Sequence, residues 1–131
     1  MSIYKTYTTM AGKDENEFDP TTMVEVNKII SLENRKNIIQ TNKVVVIDNY
    51  TDWCGPCKAC APQFSTLAKK YGKPGLCAFV KEDVDKEFDV PVPITGVPCF
   101  HFYINGHFQA QMTVTGADVA LVEQTVQNLL R

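Results

Sequence analysis

Cys54 and Cys57 are separated by two residues and closely follow a run of β-branched residues, Val44–Ile47. A strand that leads into a helix beginning at these cysteines would place both thiols at the helix N-terminus. Unpaired backbone N–H groups and the positive end of the helix dipole stabilise a thiolate there, and the thiolate is the reactive form of cysteine. The spacing therefore predicts thiol–disulfide exchange, in which one sulfur attacks a disulfide and the other resolves the mixed disulfide.

The same pair of cysteines is also compatible with a metal site. Zinc usually takes four ligands from two close pairs, and the other potential ligands include no second close pair: Cys77, Cys99, His101 and His107. Cys60 extends the pair into a spacing with which iron–sulfur sequences begin, but Phe64 occupies the position of the next expected ligand. We therefore expect no metal, and we predict that the three remaining cysteines are buried in the core.

Hydrophobic periodicity places the cysteine pair between a strand and a helix. The continuous apolar run Val44–Ile47 is typical of a central strand that is covered on both faces. Apolar residues recur with helical spacing from Cys57 to Tyr71, and Gly72 then provides a stop signal. Pro62 lies inside this helix and is expected to kink it.

The other segments predict a mixed sheet with helices on both faces. Further strands are expected over residues 23–27, 76–80, 99–104 and, after an Asn105-Gly106 turn, 107–114. Helices are expected over 32–40, with Ser31 as the N-cap, and after Thr115, a candidate N-cap, with Asp118 favouring the helix N-terminus. The proline-containing segment 83–97 is expected to be mostly loop.

The composition of the chain restricts its class of function. The 131 residues fit one domain, and a net charge of −2 gives no general basic surface for nucleic acid. The longest apolar run is too short to span a membrane, and the N-terminal residues lack the apolar stretch of a secretory signal. Five unevenly spaced cysteines make a poor framework for structural disulfides. We therefore expect a cytoplasmic protein with no nucleic-acid or membrane partner.

The motif and its surroundings resemble the thioredoxin family over about residues 22–130. The sequence Trp-Cys-Gly-Pro-Cys-Lys at 53–58 matches the active-site motif of that family. Asp48 stands where the family has a buried acid, and Lys81 stands where it has a lysine near that acid. Gly-Val-Pro at 96–98 matches the loop in which the family has a cis-proline.

The resemblance implies an α/β thioredoxin fold, with a mixed central sheet of four to five strands flanked by three to four helices. The segment 85–98 departs from the family pattern and carries extra prolines, so the third helix of the family is expected to be short or missing. Residues 22–131 would form the thioredoxin-like domain. Residues 1–21 would be an N-terminal extension that is flexible or loosely docked.

The resemblance also implies roles for nine residues. Three would carry out the chemistry: the nucleophile Cys54, the resolving thiol Cys57 and the proton acceptor Asp48. Three would support it: Lys81, Gly55 and Pro56. Three would contact the substrate: Trp53, Val97 and the cis-proline Pro98.

The implied activity is that of a protein-disulfide reductase that cycles through a Cys54–Cys57 disulfide. It would bind no organic cofactor, act as a monomer on disulfide-containing proteins, and receive electrons from a partner similar to thioredoxin reductase. The Gly55-Pro56 dipeptide resembles the reducing members of the family. Two alternatives stay open: a disulfide isomerase or oxidase that uses the same site, and a binding or scaffold subunit that retains the fold.

Overall fold

The structure is a computed structural model that describes residues 26–131. In this part of the chain, six strands form one mixed sheet and three α-helices pack against it. The elements are β1 Asn27–Lys28, α1 Leu32–Thr41, β2 Val44–Tyr50, α2 Gly55–Tyr71, β3 Cys77–Asp83, β4 Cys99–Ile104, β5 His107–Phe108, β6 Val114–Thr115 and α3 Val119–Leu129. The predicted extension over residues 1–21 lies outside the described residues.

The strand order is β1-β3-β2-β4-β5, and β6 pairs with the other end of β4. Strands β1, β3 and β2 are parallel, whereas β4 runs antiparallel to β2. The carboxyl ends of the three parallel strands therefore lie at one edge of the sheet. The chain leaves β2 at this edge and enters α2, so the start of α2 lies over the ends of these strands.

Alternation of side chains along β2 gives the sheet two apolar cores. Val44 and Val46 face α2 and α3, where Phe64 packs 5.5 Å, centre to centre, from the ring of Phe100. The opposite face of the sheet is covered by α1, and its core includes Val45 and Ile47. The prediction of a central strand buried on both faces is confirmed.

Local signals set the helix ends as predicted in two helices. The hydroxyl of Ser31 accepts the N–H of Asn34 and caps α1. Gly72 ends α2 by donating its N–H to the carbonyl of Ala68, and Pro62 lies inside the helix.

The prediction of one continuous return strand over 107–114 is wrong. After the Asn105-Gly106 turn, whose positive φ angles of 51° and 84° suit this dipeptide, only two residues pair as β5. A 3-10 turn over Ala110–Met112 then interrupts the ladder before β6 pairs with β4 again. This interruption divides one expected strand into two and explains a sheet with six strands rather than four to five.

Two further boundaries differ from the sequence-based expectation. The N-cap of α3 is Asp118, whose carboxylate accepts the N–H of Leu121, because Thr115 is held in β6 opposite Cys99. The expected first strand begins outside the described residues, and the observed β1 covers Asn27–Lys28. Between β3 and β4 the described chain has only a 3-10 turn, Val84–Lys86, so the helix expected to be short or missing is missing there.

Candidate active site

Cys54 and Cys57 form a disulfide at the N-terminus of α2. Cys54 is the N-cap residue of the helix, and its Sγ accepts the backbone N–H of Cys57 at 3.1 Å. Both residues are only 4% exposed, so little of either side chain reaches water. Because a backbone N–H already points at Cys54 Sγ, the helix start is suited to stabilise a thiolate when the disulfide is reduced.

A groove of about 490 Å³ opens beside the disulfide. Its lining residues come from the start of α2, the 3-10 turn after β3 and the segment before β4: Thr51, Trp53, Cys54, Gly55, Pro56, Val84, Asp85, Ile94, Thr95, Gly96 and Val97. Five of the nine residues named from the sequence therefore lie together in one groove. This volume lies in the range of ordinary ligand and substrate pockets.

Trp53 forms the exposed rim of this groove. Its side chain is 74% exposed, and its indole N–H donates a hydrogen bond to Asp85 Oδ2 at 3.3 Å. Sequence reasoning treated Asp85 as part of a loop and missed this contact. No local pattern around Asp85 signals it, because the two residues meet only when β2 and β3 lie side by side.

The Val97–Pro98 peptide bond is cis, and Val97 lines the groove together with Trp53. The carbonyl oxygen of Val97 lies 3.6 Å from Cys54 Sγ. The carbonyl of Pro98 accepts the N–H of Gly116 at 2.8 Å, which fixes this loop to the chain after β6. Backbone groups of Val97 are thereby held next to the disulfide.

Asp48 is buried near the C-terminal end of β2, on the face that α2 covers, and is 5% exposed. Burial raises the pKa of its carboxyl to about 7, and the charge of Lys81, its neighbour on β3, acts in the opposite direction. Burial disfavours the charged form of an acid, which is the dominant effect here. At neutral pH this carboxyl group can therefore either hold or accept a proton.

The raised pKa of Asp48 predicts a pH-dependent stability. Between pH 4 and 7 the folded protein keeps a proton on Asp48 that the unfolded chain has lost, so the contribution of Asp48 to the stability should fall as pH rises through this window. The asparagine of the Asp48→Asn variant cannot ionise, so this variant should not lose stability in this way. Its unfolding free energy relative to wild type should rise by roughly 3 kcal/mol between pH 5 and 8.5.

Urea unfolding of the oxidised wild type and the Asp48→Asn variant at both pH values measures this difference directly. The comparison cancels the contribution of every other titrating group that the two proteins share. A difference that stays constant from pH 5 to 8.5 would contradict the raised pKa.

The other three cysteines are free thiols in the core, as predicted: Cys60, Cys77 and Cys99. Burial raises the pKa of Cys60 to about 11 and that of Cys77 to about 12, so neither is a thiolate at neutral pH. His101 is also buried, at 1% exposure, with a pKa lowered to about 4 by burial and by Arg35. These three thiols are therefore neutral at neutral pH, whereas Cys54 and Cys57 are joined at the N-terminus of α2.

Residues 26–131 contain no group of three or more metal-ligating side chains arranged to hold an ion. Within the same range, no helix has the length and apolar character that crossing a bilayer requires.

The cysteine pair at the start of α2, the cis-proline loop beside it and the mixed sheet beneath define a thiol–disulfide oxidoreductase with the thioredoxin fold. The family model described as Thioredoxin matches residues 25–128. The chain belongs to the thioredoxin family.

Known relatives and solved structures agree with this assignment. The chain is 35% identical to the thioredoxin of Neurospora crassa over 111 residues, which cover 81% of this chain and 87% of that protein. It is 36% identical to thioredoxin 1 of Plasmodium falciparum over 93 residues, covering 70% and 85%. The crystal structure of Malassezia sympodialis thioredoxin superposes with a TM-score of 0.69 at 34% identity, covering 81% of this chain and 94% of that one.

Proposed function

We propose that this protein reduces disulfides in other proteins, with Cys54 as nucleophile and Cys57 as resolving thiol. The Cys54 thiolate attacks one sulfur of the target disulfide, and the other target sulfur leaves as a thiolate and takes up a proton. The deprotonated Cys57 then attacks Cys54 Sγ in the mixed disulfide and releases the second target sulfur. Two electrons pass to the target, and the protein is left with the Cys54–Cys57 disulfide.

The observation that carries this proposal is the hydrogen bond from the Cys57 N–H to Cys54 Sγ at 3.1 Å. It supports Cys54 as the thiolate, because a donor already directed at the sulfur favours its charged form without further reorganisation. Cys54 also lines the open groove, whereas Cys57 is not among the residues that line it. This difference supports attack by Cys54 and resolution by Cys57.

Asp48 supports the second step as the acceptor of the Cys57 proton. A general base works best when its pKa lies near the working pH, and burial brings the pKa of Asp48 to about 7. The carboxyl lies on the face of the sheet that α2 covers, and its charge reaches Cys60 on that helix. In the proposed sequence, Asp48 takes the proton as Cys57 becomes the attacking thiolate.

The substrate is proposed to bind as an extended segment along the groove. Backbone groups of Val97, held behind Cys54 by Pro98, would pair with this segment in the manner of an added strand. Trp53 would cover its other side with an exposed aromatic surface. Gly55 and Pro56 leave the entrance to Cys54 free of bulky side chains, in keeping with their place in the groove lining.

The proposed partners are proteins with accessible disulfides and a separate reductase that returns electrons to the Cys54–Cys57 disulfide. A reducing function requires a reducing compartment, and we therefore propose that the protein works in the cytoplasm. We propose further that it acts as a monomer, since the groove described above is formed within one chain.

Cys57→Ser is expected to trap the mixed disulfide, because the attacking thiol remains and the resolving thiol is absent. The reduced variant is incubated with a peptide that contains one disulfide, and the products are mapped by mass spectrometry. The expected product joins the peptide to Cys54. The double variant Cys54→Ser/Cys57→Ser is the control and should form no adduct.

An adduct located on Cys60, Cys77 or Cys99 would contradict the assigned nucleophile. The reduction potential of the Cys54–Cys57 pair, measured against glutathione buffers, tests the direction of electron flow. We expect a value more negative than the roughly −180 to −210 mV of an oxidising compartment. A less negative value would favour the isomerase or oxidase alternative instead.

A further inference from the structure

Two lysines lie in one row with Asp48 across the parallel strands. Lys28 of β1 pairs with Lys81 of β3, and Lys81 pairs with Asp48 of β2. Paired residues of neighbouring strands project to the same face of a sheet, so these three side chains share the face that α2 covers. Tyr50, two residues beyond Asp48 on β2, projects to that face as well.

The ring of Tyr50 interacts with both ammonium groups. Nζ of Lys28 and Nζ of Lys81 each lie 5.8 Å from the ring centre. A cation within about 6 Å of an aromatic face is attracted to the ring electrostatically. A lysine has a long flexible stem, so without the ring its ammonium group would spread over many positions in water.

We propose that Tyr50 is a positioning residue for Asp48: its ring keeps the Lys81 ammonium group on the Asp48 side of the strand pair, where the positive charge favours the carboxylate. Lys81 then offsets part of the effect of burial, which by itself raises the pKa of the Asp48 carboxyl. The consequence for turnover rests on the proposed role of Asp48 as proton acceptor. The effect of Tyr50 on the ionisation of Asp48 does not depend on that role.

The other titratable groups near this row of residues do not supply a positive charge that could lower the pKa of Asp48. The thiols of Cys60 on α2 and Cys99 on β4 interact with its charge, but burial raises the pKa of both, and they are neutral near pH 7. Cys57 is held in the disulfide and does not titrate in the oxidised protein. The negative charges of Asp52 and Asp83 help to raise the pKa values of Lys28 and Tyr50.

A simple packing role for Tyr50 predicts a change of opposite sign. If the ring only shielded Asp48 from water, its removal would hydrate the carboxyl and lower the pKa. If the ring holds Lys81, its removal releases the cation and raises the pKa. The two effects can be separated by removing Tyr50 both with Lys81 present and with Lys81 absent.

The experiment is a double-mutant cycle on the oxidised protein, with the Asp48 carboxyl titrated by carbon-13 NMR. The variants are Tyr50→Leu, Lys81→Met and their combination, with Tyr50→Phe as the control that keeps the ring. The shift caused by Tyr50→Leu with Lys81 present should exceed its shift in the Lys81→Met background by about half a pH unit, towards higher pKa. Tyr50→Phe should leave the titration close to that of wild type.

A difference of zero or of opposite sign between the two backgrounds would overturn the proposal. So would a Tyr50→Phe variant that titrates like Tyr50→Leu, because the ring would then be irrelevant. The pH dependence of disulfide reduction is measured on the same variants. If the titration of Asp48 moves as expected and the pH–rate profile does not, the positioning role stands and the proton-accepting role of Asp48 fails.

Discussion

Replacement of Cys54 by serine is expected to reduce protein-disulfide reduction to the rate of buffer without protein. A serine hydroxyl at the same helix N-terminus stays protonated at neutral pH, so the groove is left without a thiolate at the position that lines it. Insulin reduction with dithiothreitol as the electron source measures the loss. This is the largest change in activity that we expect from a single substitution.

Cys77→Ala is the matched control for this prediction. It also removes one sulfur, but from the first residue of β3, where burial raises the pKa of the thiol to about 12. We expect it to keep nearly full activity as long as the domain is folded. Substantial reduction by the Cys54→Ser variant would exclude Cys54 as the nucleophile, and an inactive but folded Cys77→Ala variant would exclude the division between reactive and inert thiols.

Replacement of Glu82 by leucine is expected to lower the free energy of unfolding by about 3–5 kcal/mol. Glu82 is fully buried on the α1 side of the sheet, where its Oε2 accepts the Nε–H of Arg35 at 2.9 Å. Arg35 is 4% exposed and also donates to the hydroxyl of Tyr103 at 3.1 Å. Loss of the carboxylate would leave a guanidinium charge buried without its counter-ion.

Two controls test this reasoning by urea unfolding at pH 7. The double variant Arg35→Leu/Glu82→Leu removes both charges and should recover most of the lost stability. Lys70→Met removes an exposed cation from the ion pair with Glu123 and should change stability too little to measure. A double variant no more stable than Glu82→Leu alone would show that the leucine side chain, rather than the unpaired charge, causes the loss.

The local features of the fold were predictable because short-range chemistry produces them. Ser31 caps α1 through its hydroxyl, Gly72 ends α2, and the Asn105-Gly106 turn follows β4 because these two residues tolerate positive φ angles. The return strand was mispredicted because the 3-10 turn at Ala110–Met112 interrupts its pairing with β4.

The Arg35–Glu82 pair illustrates a feature that sequence reasoning missed. Neither residue belongs to a motif, and they are far apart in the sequence. One signal was available: Glu82 continues the alternation of β3 at a position that faces inward, where an unpaired charge would be costly. That signal indicates that a partner is required but does not identify Arg35 on α1.

Contiguous residues were enough to predict the cysteine pair, its place between a strand and a helix, and the family. The ionisation of Asp48, the contact between Trp53 and Asp85, and the position of Lys81 over the ring of Tyr50 could be read from the folded chain alone. These properties depend on burial and on charges brought together from different strands. Distances of that kind are fixed by the packing of the whole sheet and not by the order of neighbouring residues.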